Sequence, residues 1–271
     1  MLNKKLTFGL VAFASLMTLS ACGSSSQSEN SLETIKEKGT LTVAMNPEFA
    51  PFEFKTLVDG KDTVVGADVE IAKAIGEELG VEVKFSTMSF NNVLAAVKSG
   101  KADIAISGIS ATEERQKVYD FSDTYYESKS VLIVQKAELS TYTDTDSFAD
   151  KSIGTQKGSI QETIAKSNLS SAHIVSLTQP GEAINELKSG QVQGVVLEEA
   201  IAKGYVAKND DLAIADISLK SDSTDAYAVA MPKGSDELKE AVNKVIKELK
   251  AEGKIDSFVQ AVYEQSLETS E

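Results

Sequence analysis

Arg115 is the only arginine among the 27 basic residues of this 271-residue chain. Lysine suffices wherever a solvated positive charge is enough, whereas arginine offers a planar fork that can grip a carboxylate through two parallel hydrogen bonds. Arg115 follows the stretch SGISATEE, directly after an apolar run that reads as a strand. In open α/β sheets ligands gather at the carboxyl ends of strands. A surface arginine paired with Glu113 or Glu114 is the plain alternative, and position favours the grip. Two neighbouring acids, Glu198 and Glu199, end a second strand-like run, QGVVLEE. A nucleophilic triad or a metal site needs histidines or cysteines, and the chain holds one of each, His173 and Cys22. His173 lies in SNLSSAHIV, read as a loop leading into a strand, which makes it a surface residue. A single thiol can form no internal disulfide. The inventory calls for no metal and no cofactor.

The elements that would position these groups alternate short apolar runs with amphipathic stretches, the pattern of an α/β protein. GTLTVAM, VEVKF, ADIAISGIS, KSIGTQ, HIVSL and QGVVLEE read as strands. DVEIAKAIGEELG places Val69, Ala72, Ile75 and Leu79 at helical spacing and stops at Gly80. NNVLAAVKSG reads as a short helix opened by Asn91 or Asn92 and closed by Gly100, and IQETIAKS and PGEAINELKSG as two more. NNVLAAVKSGKADIAIS and GEAINELKSGQVQGVVL run alike through helix, Lys-Ser-Gly and strand, with the tripeptide at 98–100 and 188–190. That repeat suggests two lobes on similar βαβ lines. A cleft between them would bring Ser107-Gly108-Ile109-Ser110 to face Glu198-Glu199.

The N-terminus is separate from this body. Lys4 and Lys5 precede an apolar run over 6–19, too short to cross a bilayer stably and suited to a secretory signal. Leu19-Ser20-Ala21-Cys22 resembles the lipobox of bacterial lipoproteins, which implies removal of 1–21 and a diacylglycerol on Cys22 as the membrane anchor. Residues 22–31 then form a lipidated, flexible leash of serine and glycine. No later stretch of 18 apolar residues follows, so the body is read as a domain outside the membrane. Without 1–21 the charge is 25 basic minus 41 acidic residues, or −16, because only Lys4 and Lys5 are lost. So acidic a chain is a poor partner for nucleic acid or anionic lipid heads.

Several segments together carry a family resemblance: NPEFAPFEF, GADVEIAKAIGEELG, SGISATEERQKVYDFSDTYY, GTQKGSIQE and AVAMPKGSDELKEAVNKVIKEL. The chain resembles the extracytoplasmic solute-binding proteins of polar amino acid ABC transporters. Ala67, Thr124 and Thr155 depart from the family's usual residues. The resemblance implies a two-lobed type II periplasmic-binding-protein fold. Lobe 1 would comprise 32–127 and 226–271 and lobe 2 would comprise 128–225, with the chain crossing near 125–129 and 223–227. It also implies a site. Arg115 would hold the ligand α-carboxylate with Ser110, and the Gly108 carbonyl would accept from the α-ammonium. The amides around Ser159, Ile160 and Gln161 would present a helix N-terminus to the carboxylate. Glu199 would pair with the ammonium, with Glu198 taking that role if the register shifts by one. Phe49 and Phe90 would pack on the side chain, while Asn46 and Gln156 would meet its tip. Amides at the tip suit an uncharged polar ligand, glutamine first; Glu48 turned inward would instead favour arginine or lysine. The partners implied are a free amino acid and the permease subunits of an ABC transporter, with the protein a lipid-anchored monomer on the extracytoplasmic face. A dehydratase acting through cleft carboxylates and a surface adhesin or sensor are the alternatives from other classes.

Overall fold

In the computed structural model residues 31–221 and 225–268 are described, with side chains through Val262. The signal segment, Cys22 and most of the leash lie outside the described residues, as does 222–224 of the second crossing.

The chain opens with α1 (Ser31–Lys38) and β1 (Thr40–Met45), whose inner residues are buried on both faces. Such continuous apolar character is what a parallel strand covered by helices requires. A three-stranded antiparallel hairpin sheet follows: β2 (Glu48–Phe49), β3 (Glu53–Val58) and β4 (Lys61–Val65). Its tip, Asp59-Gly60, has φ of 51° and 75°, the paired positive values of a two-residue hairpin turn. Next comes α2 (Ala67–Leu79), which buries Val69, Ile71, Ala72, Ile75 and Leu79 and ends at Gly80 with φ 71°. Each such side chain contributes about 1.5–3 kcal/mol when fully buried. At the entry to α2, Gly66 has φ 131°, and a Cβ there would lie 2.1 Å from the Phe52 carbonyl oxygen. Only glycine fits.

Then come β5 (Glu82–Thr87), α3 (Phe90–Lys98), β6 (Ile104–Ala105), α4 (Glu113–Gln116) and β7 (Tyr119–Phe121). The chain crosses to β8 (Ser130–Gln135) and continues through β9 (Ser152–Gln156), α5 (Ile160–Asn168), β10 (His173–Leu177), α6 (Pro180–Lys188), β11 (Gly194–Glu198), α7 (Glu199–Lys208) and β12 (Leu212–Ile214). It returns as β13 (Ala230–Pro232), α8 (Asp236–Ala251) and α9 (Lys254–Glu268). One five-stranded sheet runs β5-β1-β6-β13-β7 and the other β10-β9-β11-β8-β12. Each has a parallel trio, β5-β1-β6 or β10-β9-β11, extended by antiparallel strands. The molecule is a two-lobed α/β protein, with one five-stranded sheet per lobe. Helix α8 completes the first lobe by burying Leu238, Val242, Val245, Ile246 and Leu249, and it packs on α2.

The Lys-Ser-Gly repeat occupies the same place in both lobes. Gly100 and Gly190 take φ 70° and 77°, and each donates its N–H to the carbonyl three residues back, on Val97 and Leu187. Ser99 and Ser189 donate their N–H groups four residues back, to the carbonyls of Ala95 and Asn185. Each turn feeds the strand next to the lobe's first strand. At the crossings, Tyr126 and Tyr227 form an antiparallel bridge, with Tyr227 N donating to Tyr126 O at 2.8 Å.

Two local expectations shift. Helix α3 begins at Phe90 with Ser89 as its N-cap residue, ahead of Asn91 and Asn92. The strand read over ADIAISGIS is confined to Ile104–Ala105, because Gly108 takes φ 55° and turns the chain across the end of the sheet. His173 is exposed and starts β10.

Candidate ligand-binding cleft

The carboxyl ends of β1 and β6 form one wall. Asn46, just past β1, donates its backbone N–H to Ser107 Oγ at 3.0 Å, and Ser107 donates in turn to Glu53 Oε1 at 2.5 Å. Gly108 donates its N–H to Asp68 Oδ2 at 3.1 Å, and the Tyr125 hydroxyl donates to the same oxygen at 2.9 Å. Glu53 and Asp68 are wholly buried and close enough to act on each other's titration. Burial pushes both carboxyls up, Glu53 well above the usual range and Asp68 to about 6. Glu53 Oε2 and Asp68 Oδ1 have no hydrogen-bond partner, so two charges here would be costly. This cluster holds Ser107 and Gly108 from beneath. A Cβ on Gly108 would lie 2.6 Å from Phe49 Cε1, so the ring rests directly on the glycine.

Arg115 stands over this wall. Thr112 caps the short helix α4 through Oγ1, which accepts from Arg115 N at 3.2 Å. The guanidinium donates through Nη1 to Ser110 O at 2.8 Å and through Nη2 to Gly158 O at 3.1 Å, across to the other lobe. Its Cζ lies 6.0 Å from the Phe90 ring centroid, a cation–π distance. Burial lowers its pKa, while Glu114 and Glu198 act in the opposite sense. Two of five N–H groups are spent on backbone oxygens, which leaves donors for a carboxylate.

The facing wall comes from β9, α5 and β11. Ser159 caps α5, accepting from Glu162 N at 3.2 Å and donating to Gln156 O at 2.7 Å. The first-turn amides of Ile160 and Gln161 have no intrahelical acceptor, so this end favours an anion. A cavity of about 620 Å³ lined by Arg115, Tyr119, Gly158, Ser159 and Ile160 opens here. Gln161 is buried and donates to Ser130 Oγ at 3.1 Å, while its Oε1 has no partner. Ser130 donates to Asp225 Oδ2 at 2.7 Å, which ties the wall to the second crossing.

Glu198 and Glu199 part company. Glu198 ends β11, is 6% exposed, and burial pushes its carboxyl up to about 8 against the lowering effects of Arg115 and Gln161. Glu199 opens α7 and turns outward to Lys203 Nζ at 3.3 Å and Lys129 Nζ at 3.4 Å. These two lysines outweigh partial burial and hold its carboxyl low. Glu198 is therefore the acid buried at the end of β11, while Glu199, chosen from sequence, faces the two lysines instead. Glu48 lines a crevice with Pro51, Lys55 and Tyr205.

At the far end the lobes meet through amides. Gln156 Nε2 donates to Asn46 Oδ1 at 3.1 Å, and Asn46 Nδ2 donates to Met88 O at 3.0 Å and to Gln179 Oε1 at 3.2 Å. The structure thus gathers Asn46, Phe49, Phe90, Gly108, Ser110, Arg115, Gln156, Ser159, Ile160 and Gln161 at the junction of the lobes, with Glu198 in place of Glu199. Sequence reading missed Gln179, Glu53 and Asp68.

The family of bacterial extracellular solute-binding proteins, family 3, matches residues 41–264. The chain belongs to that family. A Bacillus subtilis (strain 168) relative, an arginine-binding extracellular protein, is 33% identical over 94% of this chain and 96% of its own length. Among solved structures, an amino acid ABC transporter substrate-binding protein, AbpA, from Streptococcus pneumoniae Canada MDR_19A, bound to L-arginine, superposes with a TM-score of 0.83. It is 55% identical and covers 86% of this chain and 98% of its own. A second such protein from that strain, also bound to L-arginine, is 48% identical with the same TM-score and coverage. All three carry the name of an arginine-binding or substrate-binding protein.

Proposed function

We propose that this protein captures a free polar L-amino acid outside the cytoplasmic membrane and delivers it to an ABC transporter permease. The half-buried Arg115 guanidinium and the buried Glu198 carboxyl, near enough to influence each other across the lobe junction, carry the reading. One cation with donors to spare and one buried acid match the α-carboxylate and α-ammonium of a zwitterion. Lobe limits at 32–127 with 226–271, and at 128–225, give a hinge at Tyr126 and Tyr227. Closure about it buries the ligand, and the ligand stabilises closure by binding that form better. Cys22 would carry the lipid that tethers a monomer at the extracytoplasmic face.

Arginine is the favoured ligand. With the α-groups held by Arg115 and Glu198, the two buried carboxyls Glu53 and Asp68 behind the lobe 1 wall favour a second positive charge. The two arginine-bound structures support this. Glutamine, favoured from sequence, is the second reading, supported by the amide cluster of Asn46, Gln156 and Gln179. Thermal denaturation against a panel of L-amino acids tests the proposal. A ligand at one hundred times its Kd adds about 2.7 kcal/mol of stability. A clear rise in Tm with arginine, or with glutamine for the second reading, is expected. No shift with any amino acid would overturn it, and turnover of a prephenate-like substrate would favour the dehydratase alternative.

A further inference from the structure

Gln179 precedes the first turn of α6, the position where Ser, Thr, Asp or Asn normally supplies a side-chain cap. Glutamine is an uncommon choice for that task, and its longer side chain also reaches beyond the helix. The backbone is served instead by Glu182, whose Oε2 accepts from the N–H groups of Thr178 and Gln179 at 3.0 and 3.1 Å. The Gln179 amide reaches across the lobe junction to Asn46. With Gln156 on the other side, it fixes which way the Asn46 amide faces: Oδ1 toward Gln156, Nδ2 toward Met88 O and Gln179 Oε1. Three of the four side-chain hydrogen-bonding positions of Asn46 are thereby taken by the protein, which leaves it one lone pair on Oδ1. Most of the amide capacity still able to serve a ligand tip then belongs to the two glutamines of lobe 2.

We propose that Gln179 is a specificity-determining residue, which selects the side-chain tip of the bound amino acid by orienting Asn46 and by offering its own amide. The inference rests on the amino-acid-binding reading above. Its chemistry is a choice of hydrogen-bond polarity. With Oε1 held by Asn46 Nδ2, the Gln179 amide keeps a second lone pair on Oε1 and the hydrogens of Nε2, so it serves either a donor-only guanidinium or a mixed carboxamide. A leucine there offers neither and leaves Asn46 short of one acceptor. Because Gln179 acts only at the tip, the grip on the α-groups by Arg115 and Glu198 is untouched.

Calorimetry and competition on wild type, Gln179→Leu and Gln179→Glu separate this from a merely structural role. The ligands are L-arginine, L-glutamine and L-norvaline, which has the α-groups but no polar tip. In Gln179→Leu the advantage of the better polar ligand over norvaline is expected to shrink at least tenfold, with norvaline within threefold of wild type. In Gln179→Glu the ratio of arginine to glutamine affinity is expected to rise at least tenfold. Equal losses for all ligands in Gln179→Leu would make the residue a closure latch and overturn the proposal, as would unchanged ratios in both variants. If the leucine variant fails to fold, the near-isosteric glutamate variant decides alone. Wild type that binds none of the three would instead count against the amino-acid-binding reading.

Discussion

Replacing Glu198 by glutamine should change how stability depends on pH. The carboxyl is buried at the end of β11, and burial raises its pKa from 4.5 to about 8 in the folded protein. A folded-state value above the unfolded one means that folded protein holds a proton that unfolding releases. Stability is therefore greatest at acid pH and falls as pH rises through the window from 4.5 to 8. The slope is about 1.4 kcal/mol per pH unit, and the full difference is about 5 kcal/mol above pH 8. Glu198→Gln keeps the shape, removes the titration, and should overtake wild type as pH rises. Urea unfolding of both proteins at pH 5, 6.5 and 8 measures the difference. Glu53 and Asp68 also titrate upward in both proteins and cancel, apart from the smallest cause of the Glu53 rise, the Glu198 charge, which the substitution removes. A gap between the two curves that stays flat within about 0.5 kcal/mol from pH 5 to 8 would refute the buried-acid reasoning.

Arg115→Lys keeps the charge but loses the fork, and binding measured by calorimetry should weaken by about two to three orders of magnitude; near-normal affinity would remove Arg115 from the site. Glu199→Gln should leave affinity within about twofold, because its carboxylate belongs to exposed pairs with Lys129 and Lys203. A loss as large as that of Glu198→Gln would reverse the assignment. Gly108→Ala forces a side chain into φ 55° and against Phe49, so thermal melts should show a loss of about 1–3 kcal/mol. Cys22→Ser should release the protein into the medium or leave its signal uncleaved, as fractionation would show; a processed, membrane-bound serine variant would contradict the lipid anchor.

How much was legible in the chain depends on how local the cause is. Helix α2 could be read because its apolar spacing and the stop at Gly80 are short-range facts. The repeated Lys-Ser-Gly turns could be read for the same reason. The β2–β4 hairpin had a signal that was passed over, Asp59-Gly60 between residues of strand type. Choosing between Glu198 and Glu199 requires the strand's last inward position, and a one-residue slip reverses it. Even so, Lys203 stands four residues after Glu199, the spacing of a helical ion pair, and points to Glu199 as a surface residue of α7. No local signal links Asn46 to Gln179 or Glu53 to Asp68. Those contacts arise only when the lobes and their strands are brought together.

The central claim is that the cleft grips the α-carboxylate and α-ammonium of a free amino acid. Titrating the purified protein with L-arginine and with agmatine, which lacks only the α-carboxylate, tests it most directly, with L-glutamine and its α-amide as the matching pair for the second reading. The account predicts saturable binding of the amino acid and a loss of at least one hundredfold for the analogue without the free carboxylate. Equal affinity for the acid and its carboxylate-free analogue, or binding of neither amino acid, would contradict it.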